Sequence, residues 1–142
     1  MRGALRLPSG VISPMRAFVK YSFPVLAYSV IIFYISGIPA AKLTFTHYFW
    51  DKFLHLVEYA PLGFLCARAI WVHGKWSKMA VWVASVSFGY VYGLSDEFHQ
   101  SFTLGRASCL SDALADFLGS AFGAGIYLIV KTRDITQLTK KD

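Results

Sequence analysis

A chain of 142 residues holds one domain, and 56% apolar residues with a mean hydropathy of +0.48 exclude an ordinary soluble globule. A formal charge of +6 raises nucleic acid as a partner, but the basic residues sit in short clusters between apolar runs rather than along one solvated face, which excludes it. The partner this composition fits is the lipid bilayer, and the fold class it predicts is all-α: a small polytopic membrane bundle of four transmembrane helices with both termini cytoplasmic.

Residues 1–20 carry Arg2, Arg6, Arg16 and Lys20 with Pro8, Gly10 and Pro14, and read as a basic cytoplasmic lead-in with little helix. The first span covers 21–39. A cleavable signal peptide is the rival reading, since Gly37, Ala40 and Ala41 follow the apolar run. Against it, the run is longer than an h-region, and Ser22, Ser29 and Ser36 recur every seven residues, as a helix-packing face would. Chance alignment of three serines is the plainer alternative.

The second span runs over about 53–72, the third from Met79 to about Leu94, and the fourth from about Cys109 to Val130, so the membrane domain covers 21–130 and a cytoplasmic tail 131–142. Pro61 lies inside the second span and should kink it or free a carbonyl there. Cys66 and Cys109 sit in apolar runs without CxxC spacing, and read as core or lipid-facing residues rather than as a disulfide or a metal pair. Trp50, Trp71 and Trp76 fall near span ends, where indoles favour the interface.

Charge sidedness tests this topology. With the N-terminus inside, eleven of the fourteen basic residues are internal, leaving only Lys42, Lys52 and Arg106 outside. The acids run the other way: Asp51, Glu58, Asp96, Glu97, Asp112 and Asp116 all lie toward the outer ends of spans two to four, with only Asp134 and Asp142 inside. The outer half is therefore an acidic region short of cations.

These acids are not scattered. Taking Asp51 as zero at about 100° per residue, His55 lies near 40° and Glu58 near −20°, so all three share one side of the second helix. A carboxylate such as Glu58 inside a membrane helix costs about 2.5–3.5 kcal/mol even on lenient insertion scales, so it should face a polar interior. If the third helix continues to Gln100, then Ser85, Gly89, Gly93, Asp96 and Gln100 form one small-residue seam leading to a carboxylate. Ser108, Asp112, Asp116, Gly119 and Gly123 line up likewise in the fourth. Gly105 and Arg106 lie in the turn between them, where the guanidinium is expected to approach at least two of Glu58, Asp96, Glu97 and Asp112.

Each residue also has a plainer reading. His55 serves equally as a neutral hydrogen-bonded helix residue, and His99 as an interfacial histidine. Lys52 snorkels to the outer interface, and Asp51 acts as an N-cap. Glu58, Asp96, Asp112 and Asp116 are harder to explain this way, because buried acids need protons, partners or a cation. Of these, Glu58 is expected to be ionised, compensated by Lys52, His55 or Arg106. Asp116, with no basic neighbour in sequence, is expected to be protonated.

Asp51-Lys52-x-x-His55-x-x-Glu58-Tyr59, then Asp96-Glu97-x-His99-Gln100, then Gly105-Arg106-x-Ser108-x-x-x-Asp112 with Gly119 beyond, resembles the VanZ-like family of small membrane proteins over residues 21–130. The resemblance implies a bacterial inner-membrane, multi-pass protein and, through the family's namesake, a link to resistance against teicoplanin, a glycopeptide with a fatty-acyl tail. Carried over by motif, it points to Asp51, Lys52, His55, Glu58, Tyr59, Asp96, Glu97, Gln100, Arg106 and Asp112, and His99 and Asp116 join them in the polar pocket that the helix faces suggest. Where the family pattern usually has asparagine four residues after the third motif's aspartate, this chain has Asp116, which adds a charge to an already acidic site.

Three functions compete. In the first, the pocket engages an amphiphilic glycopeptide or a lipid-linked envelope component, contributing to lipoglycopeptide resistance or envelope modification. In the second, an intramembrane enzyme uses acid/base groups or a divalent metal on a lipid-linked substrate: Asp51 and His55 at i and i+4 are a workable ligand pair with Asp96 as a third candidate, although no HExxH run is present and no cofactor is firmly implied. In the third, a proton-coupled carrier, buried acids serve as relays, but four short spans leave little room for alternating access unless the protein oligomerises.

Overall fold

A computed structural model describes residues 13–39, 48–106 and 108–139. Arg2, Arg6, Pro8, Gly10, Ala40, Ala41, Lys42, Ala107, Lys140, Lys141 and Asp142, with the side chains of Trp50 and Asp134, lie outside the described residues.

The described chain forms four long helical segments. The first, Pro14–Ser36, joins α1 (Pro14–Ala17), a π-helical turn (Phe18–Ser22) and α2 (Phe23–Ser36). Helix starts earlier than the lead-in reading expects, because the Ser13 hydroxyl accepts the Arg16 N–H at 3.3 Å and Pro14 opens the helix, where its missing N–H costs nothing. The wide turn has a local cause. Pro24 supplies no N–H to the carbonyl of Lys20 and its ring crowds that carbonyl, so the Phe23 N–H bonds instead to Phe18, five residues back.

Then come α3 (Tyr48–His73), α4 (Lys78–Gln100) and α5 (Leu110–Thr139). Ser77 caps α4 by accepting the Ala80 N–H at 3.1 Å. Gly105, at φ 77°, takes the left-handed conformation that turns the chain from α4 toward α5. The helix α3 passes unbroken through Pro61. Just before the proline, neighbouring helices reach its backbone: the Tyr28 hydroxyl donates to the Glu58 carbonyl at 3.0 Å, and the Ser120 hydroxyl to that of Tyr59 at 3.5 Å.

The helices alternate in direction. At one end Phe33 stacks on His99, with centroids 4.0 Å apart, and Lys52 meets Asp112. At the other, Ser22 and His73 lie 3.0 Å apart, and the Arg68 guanidinium sits 4.8 Å over the Tyr21 ring. The seven-residue serine pattern faces the bundle. Ser22 meets α3, the Ser29 carbonyl accepts the Tyr92 hydroxyl of α4 at 2.6 Å, and Ser36 is buried.

Two small apolar clusters fill the interior, one around Ile32, Tyr59, Leu62 and Cys66, the other around Ala67, Val81, Ala124 and Tyr127. Cys66 is buried as the core reading expects, while Cys109 stands just before α5 within 3.0 Å of the Ser111 hydroxyl. Val30, Phe33, Val91, Leu118, Phe122 and Ile129 point outward. Outward apolar side chains around a thin core of small residues are what a chain adopts when its solvent is hydrocarbon.

Pro14–Ser36, Asp51–His73 and Leu110–Arg133 are long and apolar enough to cross a membrane. The 23 residues of α4 rise about 34 Å, long enough for the same task, but its polar seam leaves it outside the apolar set. Three of the four expected spans are therefore apolar spans in composition, and the remaining helix is the one that brings the most polar groups inward.

Candidate functional site

The polar groups gather at the end of the bundle where α3 and α5 begin and α4 finishes. On α4 the seam is as expected: Ser85, Gly89, Gly93, Asp96 and Gln100 are all buried. On α5, Asp112, Asp116, Gly119 and Gly123 are buried, whereas Ser108 is exposed. The small residues let charged helices approach closely. A Cβ on Gly93 would lie 2.6 Å from Asp116 Oδ2 and 2.9 Å from Asp116 Cβ, so only glycine admits Asp116 here.

Two cross-helix ion pairs organise the site. Lys52 Nζ contacts Asp112 Oδ1 and lies 3.8 Å from Asp51 Oδ2. Deeper in, His55 Nδ1 is 2.9 Å from Asp116 Oδ1, both residues being buried. Asp51 sits in the first turn of α3, where a carboxylate complements the positive helix end, rather than at its N-cap. Glu97 takes a similar position toward α5: its Oε2 accepts the Cys109 N–H at 2.7 Å. The side chain of Gln100 donates to Asp96 Oδ2 at 3.0 Å, one turn earlier on the same helix.

Among the described residues, several buried polar atoms have no hydrogen-bond partner: Glu58 Oε1, the Tyr59 hydroxyl, Asp96 Oδ1, Glu97 Oε1, His99 Nδ1 and Asp116 Oδ2. Such atoms are costly in a low-dielectric interior. Their convergence in one region marks it as more than packing.

The cations of the site stand differently from the sequence expectation. Arg106 does not neutralise the acids by contact; its Nε donates to the Ile38 carbonyl at 3.4 Å, and among the described residues no carboxylate lies within ion-pair distance of it. The cation that meets the cluster is Lys52 rather than Arg106: its position on α3 faces the start of α5, and its ammonium contacts Asp112 near the ends of both apolar spans. Finally, Asp116 has a basic neighbour in space, His55, sixty-one residues away in sequence, while Glu58 makes no ion pair among the described residues. Asp116 is therefore paired rather than isolated, while His55 and Arg106 stand along the same cavity as Glu58 without an ion-pair contact.

The shared face of Asp51, His55 and Glu58 is as expected. All three line a cavity of about 400 Å³ between α2 and α3, and His55 in addition reaches Asp116 on α5. Ile31, Ile35, Leu54 and Val57 form its apolar, outward-open flank, and Glu58, Gln100 and Arg106 stand along its polar side. Tyr28 lines it too and was not marked by the polar motifs. The available signal was its place beside Ser29, on the serine face of the first span. His99, half-buried against Phe33, lies outside this cavity and lines a neighbouring groove with Gly37.

Two groups of residues have the donor types and spacing for a metal ion: Asp51, His55 and Asp112, and deeper His55, Glu97 and Asp116, with the ligand atoms of each group within 4.8 Å of one another. Asp96, a ligand candidate from sequence, belongs to neither.

Comparison with known proteins gives one match: a VanZ/LLP1 family model fits residues 7–131. No curated protein and no solved structure matches the chain.

Proposed function

The chain belongs to the VanZ/LLP1 family, and from that premise we propose that it is a four-span protein of the bacterial inner membrane, both termini cytoplasmic, that receives an amphiphile from the outer leaflet. The amphiphile is a lipid-linked envelope component or a glycopeptide carrying an acyl tail, and the consequence is envelope modification or lipoglycopeptide resistance. The observation that carries this reading is the cavity between α2 and α3. Its apolar flank of Ile31, Ile35, Leu54 and Val57 is open, and its polar side presents Glu58, Gln100 and Arg106. A volume of about 400 Å³ falls within the usual size of small-ligand sites. In a bilayer such a flank opens to acyl chains, while Arg106 and Glu58 together meet a head group of mixed charge. The excess of internal lysine and arginine supports the orientation.

An acid/base enzyme acting on a lipid-linked substrate is the second reading, favoured by the buried contact of His55 with Asp116 directly behind the cavity. Turnover of a lipid-linked substrate by purified protein, lost in His55→Gln, separates it from binding alone.

The test of the first reading is susceptibility to an acylated glycopeptide and to its tail-less counterpart, in cells producing wild type or Glu58→Gln at equal membrane abundance. The wild type should protect against the acylated form in preference, and Glu58→Gln should remove that protection. Equal protection against both compounds, or none, would overturn the resistance role.

A further inference from the structure

We infer that His55, Glu97 and Asp116 form a binding site for one divalent transition-metal cation, of the zinc or manganese class, buried between α3, α4 and α5. Three helices each contribute one residue, and the ligand atoms lie no more than 4.8 Å apart. All three side chains are buried. A cluster of acids alone would say little, but two of these carry a buried oxygen with no hydrogen-bond partner among the described residues, Asp116 Oδ2 and Glu97 Oε1. Protonating them does not resolve this, since a buried O–H still needs an acceptor. A cation satisfies them directly.

One edge of the group already has coordination length, and Glu97 closes on it from within 4.8 Å. With metal–ligand bonds of about 2.0–2.2 Å, neighbouring ligands of an octahedral ion are about 3.0 Å apart. His55 Nδ1 and Asp116 Oδ1 are 2.9 Å apart, the length of such an edge. Binding through Nδ1 requires the neutral imidazole with its proton on Nε2. Glu97 is already oriented by the Cys109 N–H on Oε2, which leaves Oε1 to turn toward the ion. One neutral imidazole and two carboxylates balance a divalent charge, and mixed imidazole and carboxylate donors favour zinc or manganese over calcium or magnesium.

The outer group of Asp51, His55 and Asp112 is the poorer site. Lys52 contacts Asp112 and lies 3.8 Å from Asp51, so an ammonium already stands where the ion would go. Because His55 also lines the cavity, an ion on the deeper group would sit behind the cavity wall whatever occupies it.

The test uses the full-length protein purified in detergent, stripped with chelator, and titrated with Zn²⁺, Mn²⁺ and Mg²⁺ by calorimetry. Wild type should bind one equivalent of Zn²⁺ or Mn²⁺ well above Mg²⁺. Glu97→Gln and Asp116→Asn should each weaken binding by about 10-fold to 100-fold or more, and Asp51→Asn should leave it near wild type. If Asp51→Asn abolishes binding while Asp116→Asn keeps it, the assignment is wrong and the outer group holds the ion. Since the buried variants are liable to misfold, wild type carries its own second test with Co²⁺. Visible d–d absorption that is displaced by Zn²⁺ supports a specific nitrogen and oxygen site. Absence of both stoichiometric binding and such bands in folded wild type would overturn the inference.

Discussion

Gly93→Ala sets helix propensity against packing at the centre of the site. In a helix interior the substitution ordinarily gains about 1 kcal/mol. Here the added Cβ would stand 2.9 Å from Asp116 Cβ and 2.6 Å from its Oδ2. Carbon atoms rest at about 3.5–4.0 Å, so α4 and α5 must part by about 0.6–1.1 Å or Asp116 must swing away. Where Asp116 swings away, its 2.9 Å contact with His55 on α3 opens beyond a hydrogen bond. Overpacking of this kind costs about 1–3 kcal/mol, and a buried polar group left unpaired about 1–3 kcal/mol more. After the propensity gain is subtracted, the expected net loss is about 3 kcal/mol, read as a lower midpoint in detergent unfolding followed by circular dichroism. Gly125→Ala is the matched control. Its Cβ meets only Trp82 Nε1 at 3.9 Å, an ordinary contact, so it should be neutral or stabilising. Equal midpoints for the two variants, or a stabilised Gly93→Ala, would refute the claim that α4 and α5 are held in close contact at Asp116.

Lys52→Met strands the buried carboxylate of Asp112, and because Lys52 keeps 19% exposure the loss should sit near the low end of about 3–5 kcal/mol; adding Asp112→Asn should restore most of it in the same unfolding assay. Tyr92→Phe removes the 2.6 Å bond to the Ser29 carbonyl that ties α4 to α2, and should lower stability by about 0.5–1.5 kcal/mol, a change that denaturant midpoints would resolve. Reporter fusions at Lys42 and Ala107 should read as external, and those at Lys75 and the C-terminus as internal; an external C-terminus would contradict the proposed topology.

The helices and their inward faces were legible in the sequence because both are periodic. The heptad of Ser22, Ser29 and Ser36, the seam from Ser85 to Gln100, and the line of Asp112, Asp116 and Gly119 each turn inward as spacing requires. Pairing between helices was not legible. Periodicity fixes which face a residue occupies but not the rotation and height of the neighbouring helix. Lys52 finds Asp112 sixty residues on, His55 finds Asp116 sixty-one residues on, and Arg106 turns to the Ile38 carbonyl sixty-eight residues back. Asp51, His55 and Glu58 do share one cavity, as their arc of about 60° requires, but that His55 also meets Asp116 on α5 depended on the neighbouring helix. The start of the first helix was misjudged for a local reason, since Pro14 reads as a breaker until Ser13 is recognised as its cap.

The central claim, that the cavity between α2 and α3 takes an amphiphile, is met most directly by binding to full-length protein in lipid nanodiscs. An acylated glycopeptide, its tail-less form and a lipid-linked envelope precursor would each be titrated against wild type, Glu58→Gln and Val57→Trp, the last adding bulk at the open flank. The account predicts saturable binding of at least one tailed ligand, stronger than the tail-less form and weakened by both substitutions. Binding that ignores the tail, or that survives Val57→Trp and Glu58→Gln unchanged, would contradict it.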